Sequence, residues 1–545
     1  MKLHPSYKQN PRITDTYDAI IIGSGIGGMS LAAFLSKAGQ RVLVLEKHYT
    51  AGGFTHVFRR KDYEWDVGVH YIGEVHREGK MLNRMFHYIS EGRLEWADMG
   101  EVYDKIVFGD KVYDFVKGKE GFIDQMKSYF PHQHRQIDDY IQAVYEVQRS
   151  AKPFFVEKAM GPGLGWMMSP ILRRKMLKYS DRTTLSVLQE MGCSKELIAV
   201  LTGQFGDYGL PPGQSSFAIH AMVVKHYLYG ACYPIGGSSK IFESILPVIQ
   251  RNGGEVYSLA EVEQILIQKN KAVGVRMADG QEILAPMVIS SAGATTTFFH
   301  LLSEEDQAAL ELEKRMAKLE PSVAHICLYI GCKESSEALA LPKANYWLYP
   351  DNYDHDANIA AYLKDPSSEI PLAYVSFPSA KDPDWENRYP GKSSIQVIGL
   401  APYAWFAKWE DKGWKKRGGE YDQLKEALAE RMLEKLYQQE PQLRGKVDFY
   451  ELSSPLSTKH FCNYQQGEIY GLSHTPDRFK QRFIRTQTPI KGLYLTGQDV
   501  ATAGVGGALY GGFLTATTIL KKNMIKVIYE EAIESNGAQL GFPPP

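Results

Sequence analysis

At 545 residues the chain exceeds a single simple domain and is long enough to bury a large core. Apolar residues make up 44% and charged residues 23%, an ordinary globular balance, and the formal net charge of −1 excludes any general electrostatic pull toward nucleic acid. Cys193, Cys232, Cys327, Cys332 and Cys462 are scattered and form no C-x-x-C pair, so neither a disulfide framework nor a metal site is expected, and a reducing, cytoplasmic setting fits. Residues 1–16 are polar and lack a signal-peptide core; with Pro5 and Pro11 opposing helix they are expected to form a loose arm. No run of 18 apolar residues occurs, so no transmembrane helix is expected.

The first ordered unit begins at Ala19. Ala19 to Ile22 is a short apolar run suited to a strand buried on both faces. It feeds into Gly23-Ser24-Gly25-Ile26-Gly27-Gly28, a G-x-G-x-x-G turn, and apolar residues then recur at helical spacing from Met29 to Leu35. Gly39 sits where that helix would stop, and Val42 to Leu45 forms a second buried strand ending at Glu46. Each residue type has a task. Gly23 permits the tight turn, Gly25 lets backbone approach a pyrophosphate, and Gly28 lets helix and strand pack closely. The helix start supplies unpaired N–H groups and a positive dipole end for phosphate, and Glu46 stands where an acid accepts ribose hydroxyls. This unit predicts a Rossmann-type site for an adenine dinucleotide.

Beyond Glu46 come Ala51-Gly52-Gly53-Phe54-Thr55-His56 and then Asp66-Val67-Gly68-Val69-His70-Tyr71-Ile72-Gly73. A glycine pair followed by D-x-G-x-x-x-x-G resembles the FAD-binding half of amine oxidases and phytoene desaturases. The form Gly52 to Phe58, with Asp66 to Tyr71, is most similar to retinol saturases within the retinol saturase, carotenoid isomerase and phytoene desaturase family. Amine oxidases usually place arginine after the glycine pair. Here Phe54 stands there, which counts against amine chemistry.

The resemblance implies FAD, held by Gly23, Gly25, Gly27, Gly28, Glu46, Lys47, Gly52, Gly53 and Phe54, and along its ring by the second segment with Gly68 and Val69. Tyr233-Pro234-Ile235-Gly236-Gly237 resembles the point where the family's chain re-enters the FAD domain. A helix over Lys240 to Gln250 and short strands over Val262–Ile267, Ala272–Met277 and Met287–Ser290 follow, with Ser291-Ala292-Gly293 near the cofactor. The resemblance adds Val262 as an adenine-pairing backbone. Gly492 to Asp499, then Gly504 to Gly512, resemble the family's last FAD element: Gly497 and Asp499 at a strand end, and Gly506, Gly507 and Ala508 in a helix start that approaches the flavin.

The resulting fold class is α/β, a Rossmann-type FAD domain interleaved with an α+β substrate domain. The FAD domain takes 1–73, 231–293 and 486–530; the substrate domain takes 74–230 and 294–485; 531–545 is a tail. In the first substrate stretch, strand signals are few, and Phe122–Gln148 and Thr184–Leu201 have helical periodicity. Pro153 to Lys178 sets Phe154, Phe155, Leu164, Trp166, Met167, Met168, Ile171 and Leu172 beside Arg173, Arg174, Lys175 and Lys178. Such a tract docks on an anionic bilayer surface or forms a buried cap with a solvated basic end; both readings stand. In the second stretch, Ala324–Ile330 and Ile395–Leu400 suggest strands of another sheet, and Leu424–Tyr437 an amphipathic helix. Tyr403, Trp405, Phe406, Trp409 and Trp414 are core more often than tunnel.

No H-E-x-x-H helix, Ser-His-Asp motif or metal-ligand spacing appears. The resemblance implies an FAD-dependent oxidoreductase acting on C=C bonds of an apolar polyene, a retinoid or carotenoid. Saturating one such bond needs hydride and a proton. His70 is the first candidate donor, since an ordinary imidazole titrates near neutrality, and Tyr71 is the second; His70 as a mere structural partner of FAD is an equal reading. His56, His226 and His474 are lone histidines and expected to be structural. No second G-x-G-x-x-G follows a strand, so reductant would come from diffusing NAD(P)H or an unknown redox partner. Isomerase, desaturase and a non-catalytic prenyl-lipid escort on the same fold are the alternatives.

Overall fold

The computed structural model describes residues 4–9 and 13–539. Five short strands form one fully parallel sheet in the order Glu255–Tyr257, Val42–Leu45, Ala19–Ile22, Val288–Ser290, Leu493–Leu495. These strands come from three stretches of chain far apart in sequence. Each is apolar on both faces because both faces are covered. Ala19, Ile21, Val42 and Val44 pack toward helices, including Ile26–Lys37 and Gly504–Leu520. Ile20, Ile22, Leu43 and Leu45 pack instead against Ile265, Val275 and Ile283 of an antiparallel three-stranded layer, Val262–Gln268, Lys271–Met277 and Glu282–Leu284. Alternation across the strand therefore assigns the apolar residues to one of two cores.

The second lobe is built on a seven-stranded mixed sheet in the order Val447–Ser453, His325–Cys332, Ser393–Leu400, Ala373–Ser376, Asn345–Tyr349, Val102–Phe108, Lys111–Val116. One face is covered by helix Gly419–Gln439, whose Leu428, Met432 and Leu436 join Ile326, Leu328, Ile330 and Val397. From the other, His325, Trp347, Tyr374 and Leu400 line a cavity against the parallel-sheet lobe. The hairpin Val57–Arg60 and Tyr63–Asp66 also packs on this second sheet, through Phe58, Trp65 and Tyr329.

Several sequence expectations change. The stretch with few strand signals supplies Val102–Phe108 and Lys111–Val116; Asp104 and Lys105 break the apolar pattern there, yet Asp104 is wholly buried. The helix expected over 122–148 is two, Lys119–Tyr129 and His134–Ala159, parted at Pro131, which has no N–H to continue the ladder. That over 184–201 is also two, Thr184–Glu190 and Lys195–Leu201, parted where Gly192 takes φ +77°. The described part of the N-terminal arm is anchored rather than loose: Tyr7 is buried, its N–H donates to Ser258 O (2.9 Å), and its hydroxyl donates to Asp279 (2.9 Å). Of the expected tail, residues to Gln539 lie in helix Met524–Gln539, and 540–545 fall outside the described residues.

Tract 153–178 is neither wholly cap nor wholly surface. Phe154 and Phe155 are buried near the end of helix His134–Ala159, and Arg173 turns inward to donate to Gln481 O (3.0 Å). On helix Pro162–Leu172, Leu164, Trp166, Met167 and Ile171 are 52–71% exposed. Among the described residues no helix is long and apolar enough to cross a membrane.

Candidate active site

The carboxyl ends of the parallel strands converge with two helix starts. Gly23 leaves the first strand at φ +93° and its N–H donates to Leu45 O (2.9 Å). A Cβ on Gly27 would lie 2.6 Å from Gly497 Cα, and one on Gly28 would lie 2.2 Å from Gly23 O, so neither position admits a side chain. Gly25 differs: a Cβ there would meet no atom within 4 Å, and the residue lines the cavity. That open space at a helix start is the cradle a pyrophosphate needs.

Glu46 is buried at the second strand's end. Its Oε2 accepts from Ser24 N (2.9 Å) and Oγ (2.6 Å), and its Oε1 from His48 N (2.8 Å). Oε1, with one donor, keeps lone-pair capacity for a ribose hydroxyl. Beside it Lys47 pairs with Glu261 (2.8 Å), Ala260 N donates to Glu46 O (2.8 Å), and Val262 opens the next strand, so Glu46, Lys47 and Val262 form one corner.

The glycine pair folds back on this turn. Gly52 N donates to Ser24 Oγ (2.9 Å), and a Cβ on Gly53 would lie 2.8 Å from Gly25 Cα. Phe54 covers Gly68, where a Cβ would come within 3.0 Å of its ring, and lies parallel to Tyr464 at 6.3 Å. Val69 is buried beneath. Asp66 accepts from Ser238 N (3.0 Å) and from the Tyr233 hydroxyl, which ties the D-x-G segment to Tyr233–Ser238. Burial raises its carboxyl to about 6 against those hydrogen bonds.

In the last element, Asp499 is buried with both oxygens turned to protein amides: Oδ2 accepts from Ala294 N (2.7 Å) and Oδ1 from Leu472 N (2.8 Å). It clamps the turn at Gly293 onto the turn at Gly471 and Leu472, while Gly497 and Ala508 reach the cavity. Gly506 and Gly507 lie in the first turn of helix Gly504–Leu520. The cradle at Gly25, the acceptors of Glu46 and two helix starts at one cavity fit a flavin adenine dinucleotide. Bound there, the cofactor supplies hydride transfer.

Seven residues expected from sequence, Gly25, Gly27, Phe54, Gly68, His70, Gly497 and Ala508, line this cavity of about 190 Å³. Facing them are Trp347, Leu372, Tyr374, Ile398 and Leu400 from the seven-stranded sheet and its margins. His70 is there as expected, but its acidity is not. Burial first, and then the charge of Lys381, pushes its imidazole down to about 3, so it is neutral at physiological pH. Its Nδ1 has no protein partner, and its carbonyl accepts from Lys381 Nζ (3.0 Å). Tyr71 is not among the lining residues. Its hydroxyl lies between two carboxyls, 3.0 Å from Asp104 Oδ2 and 2.8 Å from Asp207 Oδ2, and its ring stacks on Tyr227 at 4.2 Å.

Sequence reasoning passed over Asp104, Asp207 and Lys381. Asp104 accepts from Asn345 Nδ2 (2.8 Å) and Gln204 Nε2 (2.7 Å); burial raises it to about 6. Asp207 lines the cavity, and burial, then the Asp104 charge, raises its carboxyl well above the usual range. Lys381 donates to Ser376 Oγ (2.8 Å) and Asn345 Oδ1, and burial lowers it to about 7. Nothing local marks these residues: Asp207 stands in Phe205-Gly206-Asp207-Tyr208-Gly209, an ordinary turn composition. His56, His226 and His474 are each hydrogen-bonded to backbone. His56 Nδ1 meets Gly53 O (2.5 Å), His226 Nε2 accepts from Gly73 N (2.9 Å), and His474 Nε2 accepts from Ala503 N (3.0 Å).

A second cavity of about 350 Å³ shares Phe54, Val67 and His325 with the first. Its walls carry Tyr49, Tyr329, Trp414 and Phe461 beside Arg60, Arg417 and Lys425. Of the aromatic cluster 403–414, Phe406 and Trp409 are core, Tyr403 and Trp405 pack on that core, and Trp414 faces this second cavity. Among the described residues no group of three His, Cys, Asp or Glu side chains could hold a metal ion, and all five cysteines are free.

A parallel dinucleotide-binding sheet interleaved with a second, mixed-sheet lobe, with the cofactor cradle at their junction, defines a flavin-dependent oxidoreductase. The family model for flavin-containing amine oxidoreductases matches residues 26–520, and the chain belongs to that family. It is 37% identical over 537 residues to the all-trans-retinol 13,14-reductase of Macaca fascicularis, covering 94% of this chain and 87% of that one. Prolycopene isomerase 1 of an Oncidium hybrid cultivar is 23% identical over 92% of this chain and 83% of its own. Among solved structures, the cyclohexylamine oxidase of Brevibacterium oxydans superposes with a TM-score of 0.59 at 14% identity, covering 93% of this chain and 99% of that one. This last likeness is one of fold.

Proposed function

We propose that this flavoprotein reduces one carbon–carbon double bond of an apolar polyene, a retinoid in the first instance. The observation that carries the reading is the wall opposite the cofactor cradle. Trp347, Leu372, Tyr374, Ile398 and Leu400 offer contact surface without a charge, which suits a conjugated hydrocarbon chain. The 37% identity to a retinol reductase supports the retinoid. The polyene runs past Phe54, Val67 and His325 into the second cavity, where charged side chains of both signs, Arg60, Arg417 and Lys425 with Asp422 and Glu451, receive its polar end. An escort without chemistry would have no use for the Gly25 cradle and the Glu46 acceptors.

Electrons reach the flavin from diffusing NAD(P)H or from a redox protein, and substrate arrives from a bilayer on which helix Pro162–Leu172 docks. The deciding experiment is anaerobic. Photoreduced holoenzyme is mixed with all-trans-retinol while flavin absorbance and product mass are followed. Reoxidation with a product two hydrogens heavier supports the reading. Altered retention at unchanged mass favours isomerisation, the reading suggested by the prolycopene isomerase likeness. No reaction with retinol or a carotene removes the polyene. Bleaching by NADPH in the same cuvette tests the reductant.

A further inference from the structure

A buried carboxyl, a half-buried one at the cavity and one phenol impose a proton count that the redox reading leaves unused. Tyr71 Oη has a single hydrogen, yet Asp104 Oδ2 lies 3.0 Å away and Asp207 Oδ2 lies 2.8 Å away. Asp104 is furnished as an anion: Asn345 Nδ2 donates to Oδ1 (2.8 Å) and Gln204 Nε2 to Oδ2 (2.7 Å), both from buried side chains. Tyr71 completes that set by donating to Asp104 as well. Its oxygen can then only accept from Asp207, so the hydrogen of the 2.8 Å contact belongs to the Asp207 carboxyl. A carboxylate at that distance from a phenol whose proton points elsewhere would be repelled.

The surroundings agree. Lys381, a buried cation that shares Asn345 with Asp104, is turned to His70 O (3.0 Å), Ser376 Oγ (2.8 Å) and Asn345 Oδ1, and so steadies Asp104 through Asn345 instead of reaching Asp207. His70, on the same cavity, is neutral. Burial and the like charge on Asp104 both favour the protonated form of Asp207. What surface Asp207 has opens into the cavity, beside Trp347, Leu372 and Tyr374.

We propose that Asp207 is the proton donor of the reaction, held as a neutral acid by Asp104 through Tyr71. This rests on the reading of the site as a double-bond reductase. The hydride that adds, with its electron pair, to one carbon of the double bond would be supplied by reduced flavin held in the cradle. Asp207 gives its carboxyl proton to the neighbouring carbon, so one C–H bond forms as the O–H bond breaks and Asp207 becomes a carboxylate. Two anions then face Tyr71, which raises the basicity of Asp207 and draws a proton from water once product leaves. Asp104 and Tyr71 are positioning residues; Asp207 alone meets substrate.

The test has two arms. Infrared spectra of wild-type holoenzyme at pH 7 are expected to show a carboxylic-acid C=O band that shifts in heavy water and is missing in Asp207→Asn. This arm is independent of any substrate. In the second arm, photoreduced Asp207→Asn, with flavin content and photoreduction unchanged, is expected to be reoxidised by the polyene about 100-fold or more slowly, with partial recovery in Asp207→Glu. Tyr71→Phe should retain flavin and lose or shift the infrared band. Absence of the band from wild type, or reoxidation of Asp207→Asn within about threefold of wild type, overturns the assignment. If wild type shows the band but reduces no polyene, the polyene reading has failed, and with it the catalytic role of Asp207, while its protonated state stands.

Discussion

Gly27 and Gly497 touch backbone to backbone: a Cβ on the first would lie 2.6 Å from the Cα of the second. This contact seats helix Ile26–Lys37 against the turn before helix Gly504–Leu520, joining residues 470 positions apart in sequence. Gly25, two residues earlier, has the opposite character: a Cβ there would find nothing within 4 Å, and its φ of −59° is one that alanine adopts freely. Gly27→Val is therefore expected to destabilise the protein with or without flavin, by about 1–3 kcal/mol or more as an overpacking change. Gly25→Ala should leave the melting temperature of the flavin-stripped protein unchanged and lower flavin affinity at least tenfold. Thermal melts with and without FAD separate the two, and equal effects on the stripped proteins would refute the cradle.

Glu46 offers a second separation. Its carboxylate accepts three hydrogen bonds from Ser24 and His48, so it shapes the turn whether or not a ribose is bound. Glu46→Gln keeps the shape, but its amide nitrogen must turn toward either a donor or the ribose. The expected result is flavin affinity reduced by about tenfold, the scale of one charged hydrogen bond, with a modest fall in stability. Isothermal titration of stripped protein with FAD measures it; unchanged affinity would place the ribose elsewhere.

What was legible in the chain follows from how local the determinants are. Ala19–Ile22 and Val42–Leu45 are both apolar throughout, and the glycines between them are turn chemistry, so strand, turn and strand announce themselves within thirty residues. The corner at Glu46 and the stretches at Gly52 and Gly497 carry the same kind of short signal. Asp207, Asp104 and Lys381 do not, because their protonation is made by burial and by partners contributed from 71, 204, 345 and 376. Even the choice of His70 has the right place and the wrong charge: sequence suggests an ordinary imidazole where burial removes the proton. The strand Val102–Phe108 is hidden for a related reason, since a buried aspartate in its middle looks like solvent exposure in sequence.

Acid lability follows from the buried histidines. His56, His226, His325 and His355 are pushed down to about 4, and His70 and His220 to about 3, in each case by burial first. A depressed folded-state value means that the unfolded chain binds the proton more readily. The stability these groups contribute is complete above about 6.5 and is lost as pH falls through that value toward 4. Asp66 and Asp104, raised to about 6, act oppositely, gaining stability as pH falls through 6. Asp207, raised further, acts in the same sense as those two, and six histidines outweigh three carboxyls. The melting temperature is expected to drop steadily from pH 7 to 5, and His220→Gln, between the hydroxyls of Tyr140 (2.9 Å) and Tyr208 (3.1 Å), should flatten that slope. A melting temperature that rises on acidification would contradict the neutral histidines.

Helix Pro162–Leu172 supports a prediction about where the protein works. Trp166, Met167 and Ile171 are 61–71% exposed, and Arg174 and Lys175 follow on the surface. A bilayer with anionic headgroups would bury the first group and pair with the second, each cation adding about 1 kcal/mol near the surface at modest salt. Wild type is expected to sediment with vesicles of phosphatidylcholine and phosphatidylserine, and less so as salt rises. Arg174→Gln with Lys175→Gln should weaken that binding by roughly 30-fold, the equivalent of about 2 kcal/mol. Trp166→Asp with Ile171→Asp should abolish it. Because all four side chains are exposed, flavin content and melting temperature should stay at wild-type values. Failure of the wild type to sediment would remove the bilayer from the account, whereas salt-insensitive binding that survives the glutamine pair but not the aspartate pair would make the contact purely apolar.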